Sequence, residues 1–238
     1  MLAELPVELV LRIAAHLNST DAASVCNTCV RLNEICGELV YRSPTIFGVS
    51  AIQKFGRTLS SSKERSQCVR SINMHVVEDA KQHPDMWIFC TVLKFLPDCP
   101  ILLTYEGSCH WFRNLSPRVE YAHIKRLRLV LNSTRPCFYG SPELYHTVTQ
   151  CFPEVEELLV DHESKTRYNH IAIVEAISNN LHLRFDTLRD LEIRSCLDIS
   201  GYLLRRMIHS RTMPRLERLA IIKIEIEYHS KCAFSNLH

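Results

Sequence analysis

Five times after residue 68, apolar residues recur three and then two positions apart, a spacing that calls for short strands stacked in one register. The copies are Val69-x-x-Ile72-x-Met74, Ile124-x-x-Leu127-x-Leu129, Val155-x-x-Leu158-x-Val160, Leu188-x-x-Leu191-x-Ile193 and Leu216-x-x-Leu219-x-Ile221. Their central residues lie 55, 31, 33 and 28 apart, and a weaker copy at Cys99-x-x-Leu102-x-Thr104 divides the first interval into 30 and 25. Helical stretches such as Pro142–Phe152 and Ile171–Leu181 occupy the intervals. A strand and a helix with one apolar face each cannot bury those faces alone, so the units must stack on one another. The expected fold class is α/β, with parallel strands on a concave side and helices on a convex side.

The period resembles that of leucine-rich repeats, in units longer and less regular than is usual for that family. Leu191-x-Ile193-x-x-Cys196-x-x-Ile199-Ser200-x-x-Leu203 resembles the cysteine-containing repeat type often joined to F-boxes. The position that follows each strand is filled by Asn132 and Cys196 in two copies and by Glu163 and Ile224 in others. Asn132 and Cys196 are expected to satisfy backbone groups where the chain turns out of a strand. After the last strand comes Cys232-Ala233-Phe234 without a clear capping repeat, so the expectation is a truncated solenoid or one that packs against something.

Strand alternation points the residues between the apolar positions outward, and stacking sets them in columns. One column is Arg126, Glu157, Asp190 and Arg218. The next is Arg128, Leu159, Glu192 and Ala220, and the third is Val130, Asp161, Arg194 and Ile222. Glu157 and Asp190 are like charges side by side, which cost energy unless flanking arginines or a basic partner offset them. The expectation is a face that binds a protein segment carrying its own Lys or Arg, weighed against a solvated surface of local ion pairs.

A second constraint lies at the N-terminus. From Val7 to Leu17 only Glu8, Arg12 and His16 are polar, and they recur every four residues as one narrow stripe. A surface helix needs an apolar arc of only ~100°, so this one demands cover on two sides. Leu5-Pro6 opens it, with Pro6 at the first helical position, where the missing N–H is no loss. Asn18-Ser19-Thr20-Asp21 interrupts the pattern and offers caps for a second helix carrying Ala22, Val25, Cys26 and Cys29. A third segment, Leu32–Cys36, is expected to stop at Gly37. Residues 56–67, polar and without periodicity, read as a mobile loop. Three short helices in about 40 residues cannot close a stable core, so the next domain, a partner or both must cover the surplus apolar surface.

The residues Leu5-Pro6-x-Glu8-Leu9-x-x-x-Ile13-x-x-x-Leu17-x-x-x-Asp21, Val25-x-x-x-Cys29-x-Arg31-Leu32-x-x-Ile35 and Leu39-x-Tyr41-Arg42 together resemble an F-box. Ala22 and Ala23 depart from it, standing where the family carries larger aliphatics. The resemblance implies a three-helix F-box over 1–44 and an irregular leucine-rich-repeat-like solenoid over 45–238, similar to fungal-type F-box/leucine-rich-repeat proteins. In that family the module interlocks with a Skp-type adaptor, which leads to a cullin and a RING subunit. By resemblance Leu5, Pro6, Leu9, Ile13 and Leu17 would face the adaptor, with Val25 and Cys29 supporting them or sharing the contact. The implied function is substrate recognition for an SCF-type cullin-RING ubiquitin ligase, working by proximity and without chemistry of its own. The alternative is an F-box interaction scaffold with no role in ubiquitination.

Composition narrows the remaining classes. With 46% hydrophobic and 23% charged residues the chain is ordinarily globular. No apolar run approaches the ~20 residues that span a bilayer, and MLAELPVEL lacks the basic start and cleavage site of a signal peptide. A cytoplasmic or nuclear protein with no membrane partner is expected. The net charge of +2 is too weak to suggest nucleic acid by itself, and none is expected as a partner; five acids against three arginines give residues 1–44 a net −2, leaving +4 for the rest. Eleven cysteines read as buried thiols. Cys26 and Cys29 form the only CxxC, with Cys36 seven residues on and no companion pair to complete a zinc site. No metal, cofactor or catalytic residue is expected, since no Cys stands in a recognisable nucleophile context and the six glycines form no phosphate loop.

Overall fold

The structure is a computed structural model that describes residues 2–76, 87–97, 99–107, 119–131, 142–162, 185–195 and 213–223. Its centre is one seven-stranded, all-parallel sheet whose strands follow one another in chain order. The strands are β1 (Thr45–Phe47), β2 (Ser71–His75), β3 (Ile101–Gly107), β4 (Ile124–Leu131), β5 (Glu157–His162), β6 (Asp190–Ser195) and β7 (Arg218–Lys223). Helices α1 (Val7–Ala14), α2 (Ser19–Cys26) and α3 (Val30–Arg42) precede the sheet; α4 (Val49–Ser61), α5 (Lys63–Cys68), α6 (Trp87–Lys94) and α7 (Pro142–Cys151) lie between strands. None of these helices is long and apolar enough to cross a membrane.

The register explains the apolar spacing. Ile72, Leu103, Leu127, Leu158, Leu191 and Leu219 stand side by side across six strands, and Met74, Tyr105, Leu129, Val160, Ile193 and Ile221 form the parallel row beside them. Nearly all are buried, in one cluster with Val92 and Leu93 of α6 and Val148 and Cys151 of α7. Each fully buried aliphatic is worth roughly 1.5–3 kcal/mol, which makes these rows the main source of stability. Strict alternation cannot bury two residues three apart. Ile124 and Leu127 both reach the core because β4 carries an irregularity, the register stepping from Ile101↔Ile124 to Leu102↔Arg126.

In the later units the first apolar residue closes a turn, as the first residue of β4 (Ile124) or just before the strand in β5, β6 and β7. Ile124, Val155, Leu188 and Leu216 donate their backbone N–H groups to the carbonyls of Tyr121, Phe152, Phe185 and Met213. Those four large side chains are all buried, so the repeated pattern begins three residues earlier than the recurring triplet. Pro153 and Pro214 occupy the second turn position, where a fixed φ suits the bend. The turns also stack: Glu156 N–H donates to Lys125 O, Arg189 N–H to Glu156 O and Glu217 N–H to Arg189 O, each at 2.8 Å.

Several sequence expectations need correction. Residues 56–67 are not a loop: α4 and α5 cover them, with Ile52, Gly56 and Leu59 on one buried face. The serine-rich run is the outer side of a helix whose apolar period starts upstream, and Ser62 caps α5 by accepting from Arg65 N–H. Gly37 does not stop the third helix, because Leu39 and Val40 continue its apolar face onto the small helical core; that packing outweighs the ~1 kcal/mol cost of an interior glycine. The weak copy at residues 99–104 is one residue out. Ile101, Leu103 and Tyr105 face inward while Leu102 and Thr104 face out, and a one-residue slip exchanges the two faces of a strand. Strand β1, absent from the reading, pairs Ile46 with Met74. The proposed helix 142–152 is present as α7, whereas Ile171–Leu181, Asn132, Cys196 and residues 232–234 lie outside the described residues.

The N-terminal helices enclose a separate apolar cluster of Val10, Ala14, Cys26, Leu32 and Cys36. Pro6 is the cap of α1, one position earlier than expected, and Asn18 caps α2 by accepting from Asp21 N–H at 2.8 Å. The helices join the sheet through Tyr41, whose ring stacks on Phe55 of α4 at 6.3 Å and lies 5.4 Å from the Arg65 guanidinium of α5.

Two predictions follow from the core. A Cβ at Gly107 would lie 2.9 Å from the Tyr105 hydroxyl oxygen and 3.0 Å from Val76 O, so Gly107→Ala should lower the denaturation free energy by about 1–3 kcal/mol in urea titrations. Burial, with a smaller contribution from Cys90, pushes the Cys151 thiol up to about 11. The native state then holds a proton that the unfolded chain releases nearer pH 8.5, so stability falls as pH rises from about 9 to 11. The urea midpoint should drop over that window, and Cys151→Ala should flatten part of the slope.

Candidate functional site

Two surfaces gather the residues singled out by sequence. The first is α1. Its buried line is narrow, comprising Val10 and Ala14, and apolar residues flank it on both sides. At 3.6 residues per turn, Pro6, Leu9 and Ile13 run along one flank and Val7 and Leu11 along the other. Val7, Leu9, Leu11 and Ile13 are 43%, 45%, 39% and 44% exposed, an arrangement that leaves an apolar strip partly in water on each side of the buried line.

The expected adaptor-facing residues divide accordingly. Pro6, Leu9 and Ile13 are exposed, while Leu5, Leu17 and Val25 are half-buried against the helical cluster. Cys29 is exposed at the N-cap of α3. Sequence reasoning passed over Val7 and Leu11, and also Val30, which is 75% exposed at the start of α3. A helical wheel centred on Val10 and Ala14 would have placed the first two. Arg31 explains part of the motif's spacing: its Nη2 donates to Leu5 O at 3.2 Å, satisfying a carbonyl just outside the helix and tying α3 to the Leu-Pro entry.

The second surface is the outward face of the sheet. The strand pairing sets Arg126 beside Glu157, Asp190 and Arg218, and Arg128 beside Leu159, Glu192 and Ala220. Val130, Asp161, Arg194 and Ile222 form the next row, extended through Glu106 and His75 to Phe47. The last three were missed because β1 was not foreseen and β3 was read in the wrong register. Phe47 is exposed and stacks on His75 at 4.5 Å, while His75 Nδ1 lies 2.7 Å from Glu106 Oε2.

The acids on this face are largely matched by neighbouring arginines. Arg218 Nε donates to Asp190 Oδ1 at 2.6 Å, and Arg194 Nε donates to Glu192 Oε1 at 2.6 Å. Hydrogen bonding to Asp190, aided by its charge, holds Arg218 above its ordinary pKa. The Arg194 guanidinium also lies 3.8 Å from Asp161 Oδ2. Asp161 is only 7% exposed, and its Oδ1 has no hydrogen-bond partner. Among the described residues Arg126, Arg128 and Glu157 form no ion pair. A depression of about 130 Å³ opens there, lined by Arg126, Arg128 and Arg218, by the acids Glu157, Asp190 and Glu192, and by Leu102 and Leu159 among its apolar residues.

Among the described residues no three His, Cys, Asp or Glu side chains gather as a metal site. Cys26 and Cys36 are buried in the helical cluster, where burial raises both thiols, and Cys29 points away at the surface. The two surfaces differ in kind, apolar on α1 and of mixed charge on the sheet.

Asp161 depends on Arg194 for its nearest countercharge. Arg194→Met should therefore cost about 1–3 kcal/mol, and adding Asp161→Asn should recover part of it in a urea double-mutant cycle. Neither a scan against protein-family models nor a search of curated proteins finds a match to this chain.

Proposed function

We propose that the chain is a substrate-recognition adaptor of an SCF-type cullin-RING ubiquitin ligase. Residues 1–44 form its F-box and the remainder a leucine-rich-repeat-like partner-binding domain. The observation that carries this reading is the apolar strip on α1. Four large aliphatics remain about half exposed within the segment that resembles an F-box, where the short helices cannot enclose them. Completing the burial of each would contribute about 1 kcal/mol, enough together with a few specific contacts to support a stable complex. The flank of Pro6, Leu9 and Ile13 is the one that the resemblance assigns to a Skp-type adaptor.

The sheet supports the second half of the reading. Helices α4, α6 and α7 contribute to the core on one side, while the opposite side carries mixed polar side chains. The stacked turn–strand units are what a repeat array requires. An adaptor of this kind does no chemistry; it raises the local concentration of substrate lysines near a charged ubiquitin carrier.

The test is co-expression with a Skp-type adaptor followed by gel filtration. Leu5 is half-buried in the helical cluster, so its truncation would confuse folding with docking. Leu9→Glu with Ile13→Glu changes only exposed positions. Wild type should co-elute with the adaptor; the double variant should elute alone with an unchanged melting temperature. Failure of wild type to co-elute would refute the proposal.

A further inference from the structure

We propose that Arg128 is the anchor for an acidic segment of a partner protein, one that places a carboxylate beside an aliphatic side chain. The inference rests on reading the outward sheet face as the partner-binding face. It follows from which charges on that face are matched. Asp190 is taken by Arg218 and Glu192 by Arg194. Glu157 is the register neighbour of Arg126 and offsets that cation. Arg128 has no acid directly opposite it: its cross-strand partners are Thr104 and Leu159, and the outward residues on either side of it along β4 are Arg126 and Val130, while Glu106, Glu157 and Asp161 stand diagonal to it and none forms an ion pair with it.

Burial makes this position costly. Arg128 is half-buried, and its Nε is buried with no hydrogen-bond partner. A guanidinium that is partly desolvated, unpaired and next to a second arginine is stabilised by an arriving anion more than a solvated one would be. The two terminal nitrogens form a fork that a carboxylate fits with two parallel hydrogen bonds. Leu102 and Leu159 line the same depression and supply an apolar contact for the neighbouring side chain. The sequence-based expectation set a basic ligand against flanking arginines as what offsets Glu157 and Asp190; for Asp190 it is the bond from Arg218.

The experiment is fluorescence anisotropy on the full chain with four labelled short peptides. They alternate Leu with Glu, Gln, Lys or phosphoserine. Wild type should bind the Glu peptide about tenfold tighter than the Gln peptide, the equivalent of about 1.4 kcal/mol. Arg128→Leu should abolish that preference while melting at or above the wild-type temperature, because it removes an unmatched cation. Arg128→Glu should turn the preference toward the Lys peptide. Equal or undetectable binding of the Glu and Gln peptides by wild type overturns the inference. So does binding of the phosphoserine peptide alone, an unchanged Glu preference in Arg128→Leu, or a lower melting temperature in that variant. The Arg128 variants should still co-elute with a Skp-type adaptor. Loss of co-elution by wild type strikes the ligase reading, whereas loss of the Glu preference strikes only this one.

Discussion

Everything in this molecule depends on one register. Leu127, Leu158, Leu191 and Leu219 stand in line across four strands, with Leu103 and Ile72 completing the row. Side chains alternate along a strand, so fixing one row inward fixes every outward row as well. The backbone bonds that chain Lys125, Glu156, Arg189 and Glu217 from turn to turn hold the strands at that alignment. The charged columns on the open face are thus a consequence of core packing and need no separate organising force.

That dependence gives the open face its particular electrostatics. Arginine and acid pair across adjacent strands at Asp190–Arg218, though not at Arg126 and Glu157, which are register neighbours without an ion pair. Within one strand the pairing is also possible, as at Glu192–Arg194. Where a leucine falls in the column, as Leu159 does between Arg128 and Glu192, the pairing is interrupted. Exposed pairs of this kind add little stability. Their effect is to decide which charges on the face remain unmatched.

The sequence disclosed the sheet better than it disclosed the helices. Strand positions were legible because leucine, valine and isoleucine recur at fixed offsets, and the columns of outward residues followed from those offsets alone. The helix α4 was not legible because its buried residues, Ile52, Gly56 and Leu59, include a glycine and straddle a polar run. In β3, the run Ile101-Leu102-Leu103 offered two equally apolar registers, and only pairing with Ile72 and Met74 decides between them. The apolar excess of α1 was plain in sequence, but not its division into two flanks, which depends on Val10 and Ala14 being the pair that packs inward. The charge balance around Arg128 could not be read at all, since it turns on which arginine bends toward which acid.

Only Ser43 and Pro44 separate the end of α3 from the first strand, and Arg70 N–H and Asn73 N–H donate to Arg42 O and Pro44 O at 2.8 and 2.9 Å. The helical module is therefore spliced onto the edge of the sheet with no slack between them. Turning one against the other would mean breaking the hydrogen bonds from which the sheet grows. Seen from outside, the α1 strip and the charged columns keep a constant bearing and a constant span. A body seated on one is presented to a body seated on the other at a fixed angle, as two fittings are on a rigid bracket.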